Sequence, residues 1–177
     1  GAKDLAALGG KRSGFIKTLK DAERPMIILG AGALAREDGQ QVLRAAGELA
    51  DKIGAVKDGW NGFNVLHTAA SRVGALDLGF VPGEGGRDTN AILDGASSGD
   101  VDTVVLLGAD EIDMSKLGSA FVIYVGHHGD KGAQRADLVL PSAAYTEKPG
   151  LYVNTEGRVQ MAERAVFPKG EAKEDWA

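Results

Sequence analysis

Thr103-Val104-Val105-Leu106-Leu107-Gly108 is the stretch on which the fold turns. Its five β-branched or aliphatic residues carry no polar face, as expected of a strand covered on both sides in a parallel sheet. Three further runs share the pattern: Met26-Ile27-Ile28-Leu29, Phe121-Val122-Ile123-Tyr124-Val125 and Asp137-Leu138-Val139-Leu140. Each ends on a turn-former, namely Gly30, Gly108, Gly126 and Pro141. Helical signals lie between them. Ser13 reads as the N-cap of a short helix through Asp21. Asp38, with Gln41 three residues on, opens a helix whose apolar positions Val42, Ala46, Leu49 and Ile53 recur at helical spacing before Gly54 closes it. A third helix is expected from Val65 to about Leu76, and a short one from Ala91. Short apolar strands joined through helices make right-handed parallel crossovers. The fold class is therefore α/β, a Rossmann-like wound and mostly parallel sheet with helices on both faces.

The 177 residues fit one domain. Residues 1–24 read as linker (Gly1 to Lys11) and a short helix, and residues 25–177 as the α/β domain. The start at Gly1 and the close at Asp175-Trp176-Ala177, in what reads as an opening helix, suggest a piece of a longer chain.

Composition removes several chemistries. A net charge of −5 without a Lys/Arg cluster argues against nucleic acid, whose phosphates are bound by clustered cations. The chain has no cysteine, so it offers no disulfide, thiolate nucleophile, zinc thiolate or cysteine-ligated iron–sulfur cluster. No apolar run approaches the roughly 20 residues that span a bilayer, so direct membrane insertion is not expected.

In wound sheets ligands sit beyond the carboxyl ends of the strands. The candidate crevice residues there are Gly30, Gly32, Gly108, Asp110, His127 and His128. Gly30-Ala31-Gly32-Ala33-Leu34-Ala35 matches the spacing of a dinucleotide fingerprint, with Asp51 about 20 residues on. Its context argues for a structural turn instead, because the next helix is expected at Asp38 and Asp51 falls inside it. Adjacent His127 and His128 are expected to diverge at a strand end and so not to chelate one metal together. With Asp130 they form either an acid–base cluster or, more simply, a polar loop. His67 reads as a residue on the surface or core edge of the third helix. No nucleophile elbow, HExxH or Walker lysine loop is present, so no catalytic residue and no metal site is assigned. Asn154, Glu156 and Arg158, in a glycine-hinged segment after Tyr152, can hydrogen-bond either a domain face or a ligand edge.

The run Ala136-Asp137-Leu138-Val139-Leu140-Pro141, then Glu147, then Asn154-Thr155-Glu156-Gly157-Arg158-Val159-Gln160 resembles the molybdopterin oxidoreductases. Trp60-Asn61-Gly62-Phe63-Asn64-Val65-Leu66-His67, Gly126-His127-His128-Gly129-Asp130, Ala144-Tyr145-Thr146-Glu147-Lys148 and Glu174-Asp175-Trp176 are similar to one branch, the large iron–sulfur subunit of respiratory complex I. The likeness runs from about Arg24 to the last residue.

The resemblance implies a parent subunit that carries 2Fe-2S and 4Fe-4S clusters outside this region and relays electrons from NADH toward quinone. It implies a peripheral subunit on the cytoplasmic face of a bacterial inner membrane, or on the matrix side in mitochondria, with other peripheral-arm subunits of complex I as partners. Within the segment itself no cofactor is expected, and Asn154 to Arg158 would be scaffold retained around a disused crevice. The alternative is a domain that still binds a nucleotide or molybdopterin there.

Overall fold

The computed structural model describes residues 1–10 and 14–177; the cap read at Ser13 and the end of the linker at Lys11 lie outside the described residues. Two compact units emerge, Gly1–Ala75 with Tyr152–Gln160, and Leu76–Leu151 with Met161–Ala177. Among the described residues no helix is long and apolar enough to cross a membrane.

The first unit is built around the long helix. Helices α1 (Ala2–Leu8) and α2 (Gly14–Asp21) precede strand β1 (Ile27–Gly30), the single turn α3 (Ala31–Leu34) and helix α4 (Gly39–Ile53). Gly54 ends α4 in the left-handed region at φ 67°, where its N–H and that of Ala55 reach back into the last turn. The apolar stripe of α4 is buried as its spacing requires: Val42 and Ala46 pack with Leu29, and Leu49, Ala50 and Ile53 with Ala55. Asp38 does stand before α4, yet its side chain makes no cap bond, because Arg36 Nε donates to it at 2.7 Å.

Two expectations fail here. Residues 2–8 are helical rather than linker, and Leu5 and Leu8 pack against the α4 cluster. That burial, worth about 1.5–3 kcal/mol for a fully covered Leu, gives the segment a reason to order that no capping residue announced. The expected third helix begins instead as strand β4 (Phe63–Leu66), parallel to β1 with Leu29 opposite Val65. The hairpin β2 (Val56–Lys57) and β3 (Trp60–Asn61) leads into it, and only α5 (Arg72–Asp77) is helical afterwards. Gly62 permits this arrangement: a Cβ there would lie 2.3 Å from the carbonyl oxygen of Pro25, the residue just ahead of the strand region that β4 joins.

The second unit holds helix α6 (Thr89–Ser98), strand β5 (Thr103–Leu107), a 3-10 turn over Met114–Leu117, strand β6 (Phe121–Gly126), helix α7 (Lys131–Arg135) and strand β7 (Leu138–Pro141). The three strands run parallel in the order β5-β6-β7, as the α/β reading requires. Asp88 caps α6 by accepting from the Ala91 N–H at 2.8 Å. The core lies on one sheet face, where Val104, Leu106, Val122 and Tyr124 meet Leu93 and Ala96 of α6 and Leu117 of the 3-10 turn. On the opposite face Val105, Leu107, Phe121, Leu138 and Leu140 are exposed, Leu107 by 63%. Strands β5 and β6 are therefore half-buried within the unit rather than buried on both sides, and β7 is exposed along its length.

Strands β8 (Gly150–Val153) and β9 (Val159–Ala162) pair around a turn at 154–158. The close of the chain is a turn, with the Ala177 N–H on the Glu174 carbonyl, in place of the expected opening helix.

Candidate functional site

The candidate residues fall into two sets, one per unit. Gly30, Gly32, Asn154, Glu156 and Arg158 belong to the first unit, and Gly108, Asp110, His127 and His128 to the second.

In the first unit Gly30 is the N-cap of α3, so a helix does start at the fingerprint, earlier than the expected Asp38. It is a single turn of 4 residues, too short for aligned dipoles to seat a pyrophosphate. Asp51 lies within α4, not at the end of a second strand. His67 is exposed beyond the end of β4 instead of on a helix, a consequence of the strand that replaced it. Asn154 works on its own turn: its Oδ1 accepts from the N–H groups of Glu156 at 3.0 Å and Arg158 at 2.9 Å. Gly157 completes the turn at φ 80°. Glu156 and Arg158 are exposed.

In the second unit the strand ends converge. Leu107, Val125, Leu140 and Pro141 line one side of a cavity of about 560 Å³. Facing them are Glu171, Lys173, Glu174 and Asp175, a segment of which the sequence reading noted only Glu174 and Asp175, as part of the family likeness and not as site residues. Nothing in its polar composition marks it; only tertiary pairing does. The Ala143 N–H donates to the Lys173 carbonyl at 2.7 Å and the Lys173 N–H to that of Pro141 at 3.2 Å, so the segment runs beside the end of β7. Asp175 accepts from the buried hydroxyl of Ser142 and from Lys148 Nζ. Burial pushes the Asp175 carboxyl up, but the Lys148 and Ser142 hydrogen bonds, with the Lys148 and His127 charges, hold it below the ordinary range.

His127 and His128 border a neighbouring hollow with Glu147 and Lys169. Their rings stand 4.3 Å apart at 56°, so they meet instead of diverging. The strand ends at Gly126, and the alternation of side chains ends with it. Among the described residues no group of three or more His, Asp or Glu side chains could hold a metal ion. Asp110 and Asp130 face each other across the same loops. The hydrogen bond with Asp130, together with burial and the Asp130 charge, pushes the Asp110 carboxyl up. Tyr124, buried beneath them, is raised by burial and then by both carboxylates. A Cβ at Gly126 would fall 2.3 Å from the Tyr124 hydroxyl, so the turn needs glycine to lie over this ring.

A phosphate-bearing pterin needs free donors and cations. Here Ser142 and Lys148 already bond Asp175, and Glu171, Glu174 and Asp175 would face the phosphate. The residues present do not fit that group.

Comparison with known proteins places these loops in a lineage. The G subunit of the NADH-quinone oxidoreductase of Rickettsia bellii is 48% identical over 92% of this chain and 22% of its own length. The NADH-ubiquinone oxidoreductase 78 kDa subunit of Candida albicans is 44% identical over 98% of the chain and 23% of its own. The NADH dehydrogenase [ubiquinone] iron-sulfur protein 1 of Solanum tuberosum is 42% identical over 97% and 22%. The chain thus spans between a fifth and a quarter of the length of these relatives. The profile of molybdopterin oxidoreductases matches residues 1–177 throughout. With parallel α/β units and that match across its whole length, the chain belongs to the molybdopterin oxidoreductase family.

Proposed function

We propose that the chain is a non-catalytic structural domain of the iron–sulfur subunit of complex I. The carrying observation is 48% identity over 92% of the chain to an NADH-quinone oxidoreductase subunit, in a sequence that contains no cysteine. In this reading the parent subunit passes electrons from NADH toward quinone through 2Fe-2S and 4Fe-4S clusters held elsewhere in it, and the complex couples that flow to proton translocation. This segment holds shape. It carries no cofactor, its partners are other peripheral-arm subunits, and it lies on the cytoplasmic face of a bacterial inner membrane or the mitochondrial matrix side. The exposed apolar face of β5, β6 and β7 supports a packing role, since parallel sheets are normally covered on both faces. The polar groups at the strand ends, tied to one another, support the lack of chemistry.

The purified chain is expected to show neither NADH oxidation nor a visible absorption band. A stoichiometric iron or pterin chromophore would refute the proposal. The crevice at the ends of β5, β6 and β7 is the place where the alternative, retained nucleotide or molybdopterin binding, would act, and its acidic lining and Asp175-bound donors weigh against it. Thermal-shift titration with guanosine monophosphate and NADH separates the two. A ligand at 100 times its dissociation constant adds about 2.7 kcal/mol, and the structural reading expects no shift.

A further inference from the structure

We infer that Ser142 and Lys148 form a seat for a small oxyanion, and that Asp175 is its built-in occupant, latching residues 171–175 as a strap across the strand ends. The seat has the donors an oxyanion requires. Ser142 is 6% exposed and sits at the carboxyl end of β7, directly after Pro141. Its hydroxyl donates to Asp175 Oδ1, while Lys148 Nζ donates to Oδ2, so one carboxylate is bridged by a neutral and a cationic donor. The Lys148 side chain is 25% exposed and that of Asp175 41%, so the pair is only partly withdrawn from solvent and the buried Ser142 hydroxyl is its sheltered half. His127 adds positive potential from the neighbouring loop.

The strap has little else to hold it. Its main chain makes two bonds to the end of β7, through Lys173. Its side chains bring Glu171 and Glu174 to the cavity, and Glu174 is partly occupied by Arg164 at 3.5 Å and Trp176 Nε1 at 2.7 Å. With Asp175 in place its carboxylate occupies the seat between the two donors and the cavity wall is acidic, which disfavours outside anions. Removal of this one carboxylate frees both donors and loosens the wall. The inference rests on contacts within the second unit alone, so it stands whether or not the chain serves complex I.

Amide hydrogen exchange and phosphate titration on the whole chain test it. In Asp175→Ala the amides of Lys173 and Ala143 are expected to exchange about tenfold faster, while those of Leu106 and Val122 in the core strands keep their protection. Inorganic phosphate is expected to raise the melting temperature of Asp175→Ala and leave the wild type unmoved, and a further Lys148→Met change to abolish the gain. Should Asp175→Ala lose its core protection, Lys148→Met in the wild-type background, which removes the cationic half of the latch and leaves Asp175 in place, is expected to speed exchange at the same two amides. Unchanged exchange at Lys173 and Ala143, or a phosphate effect that is absent from the variant or equal in wild type, would overturn the inference.

Discussion

Asp110 and Asp130 show how one side-chain pair sets a pH response. Asp110 is raised in the fold by its hydrogen bond to Asp130, so its folded value exceeds the unfolded one. Such a group stabilises the fold below the ordinary carboxylate range, and that contribution disappears as pH climbs through the raised value. Asp110→Asn keeps a hydrogen-bonding group without the second charge. It is expected to melt at a higher temperature than wild type at pH 7 and to lose that advantage as pH falls through the raised Asp110 value, where wild type becomes protonated too. Thermal melts across that range check the sign. Equal or lower stability of the variant at pH 7 would contradict the pairing. The sequence showed both aspartates at strand ends, yet their mutual approach, like the contact of His127 with His128, depends on how two loops are brought together and has no local signature.

At the scale of elements, legibility followed the strength of the local pattern. Strands β5, β6 and β7 were readable because each is an uninterrupted apolar run shut by glycine or proline, and α4 because its stripe spans four turns. Strand β4 was not, since Phe63-Asn64-Val65-Leu66 is short and runs into residues of helical spacing. What makes it a strand is β1 alongside, a partner more than thirty residues away. Helix α1 was missed for a similar reason, as its order comes from burying Leu5 and Leu8 on α4. The turn between β8 and β9 offers an element-level test. Asn154→Ala removes the acceptor for two N–H groups and is expected to cost about 1–2 kcal/mol, with faster exchange at Glu156 and Arg158. Asn154→Asp, which restores the acceptor, should recover most of it. Loss of stability in both variants alike would show that the side chain acts through something other than this turn.

For the whole molecule, the α/β class and the family were legible, the first from strand runs and the second from motifs scattered between Arg24 and the close. The strap at 171–175 was not, because a polar segment that adds to a sheet edge by main-chain bonds leaves no pattern in side chains. On the proposed reading the molecule has a face to pack and a strand-end crevice without chemistry. The sharpest test sets one against the other in intact complex I. The parent iron–sulfur subunit would carry either Asp110→Asn with His127→Gln and His128→Gln, or Val105→Asp on the bare sheet face away from the crevice, and both assembled complex on native gels and NADH:quinone turnover per complex would be measured. The strand-end loop variant is predicted to assemble and turn over as wild type does, while Val105→Asp lowers the amount of complex but not the turnover of what assembles. A loop variant that assembles fully and yet loses turnover would contradict the structural role.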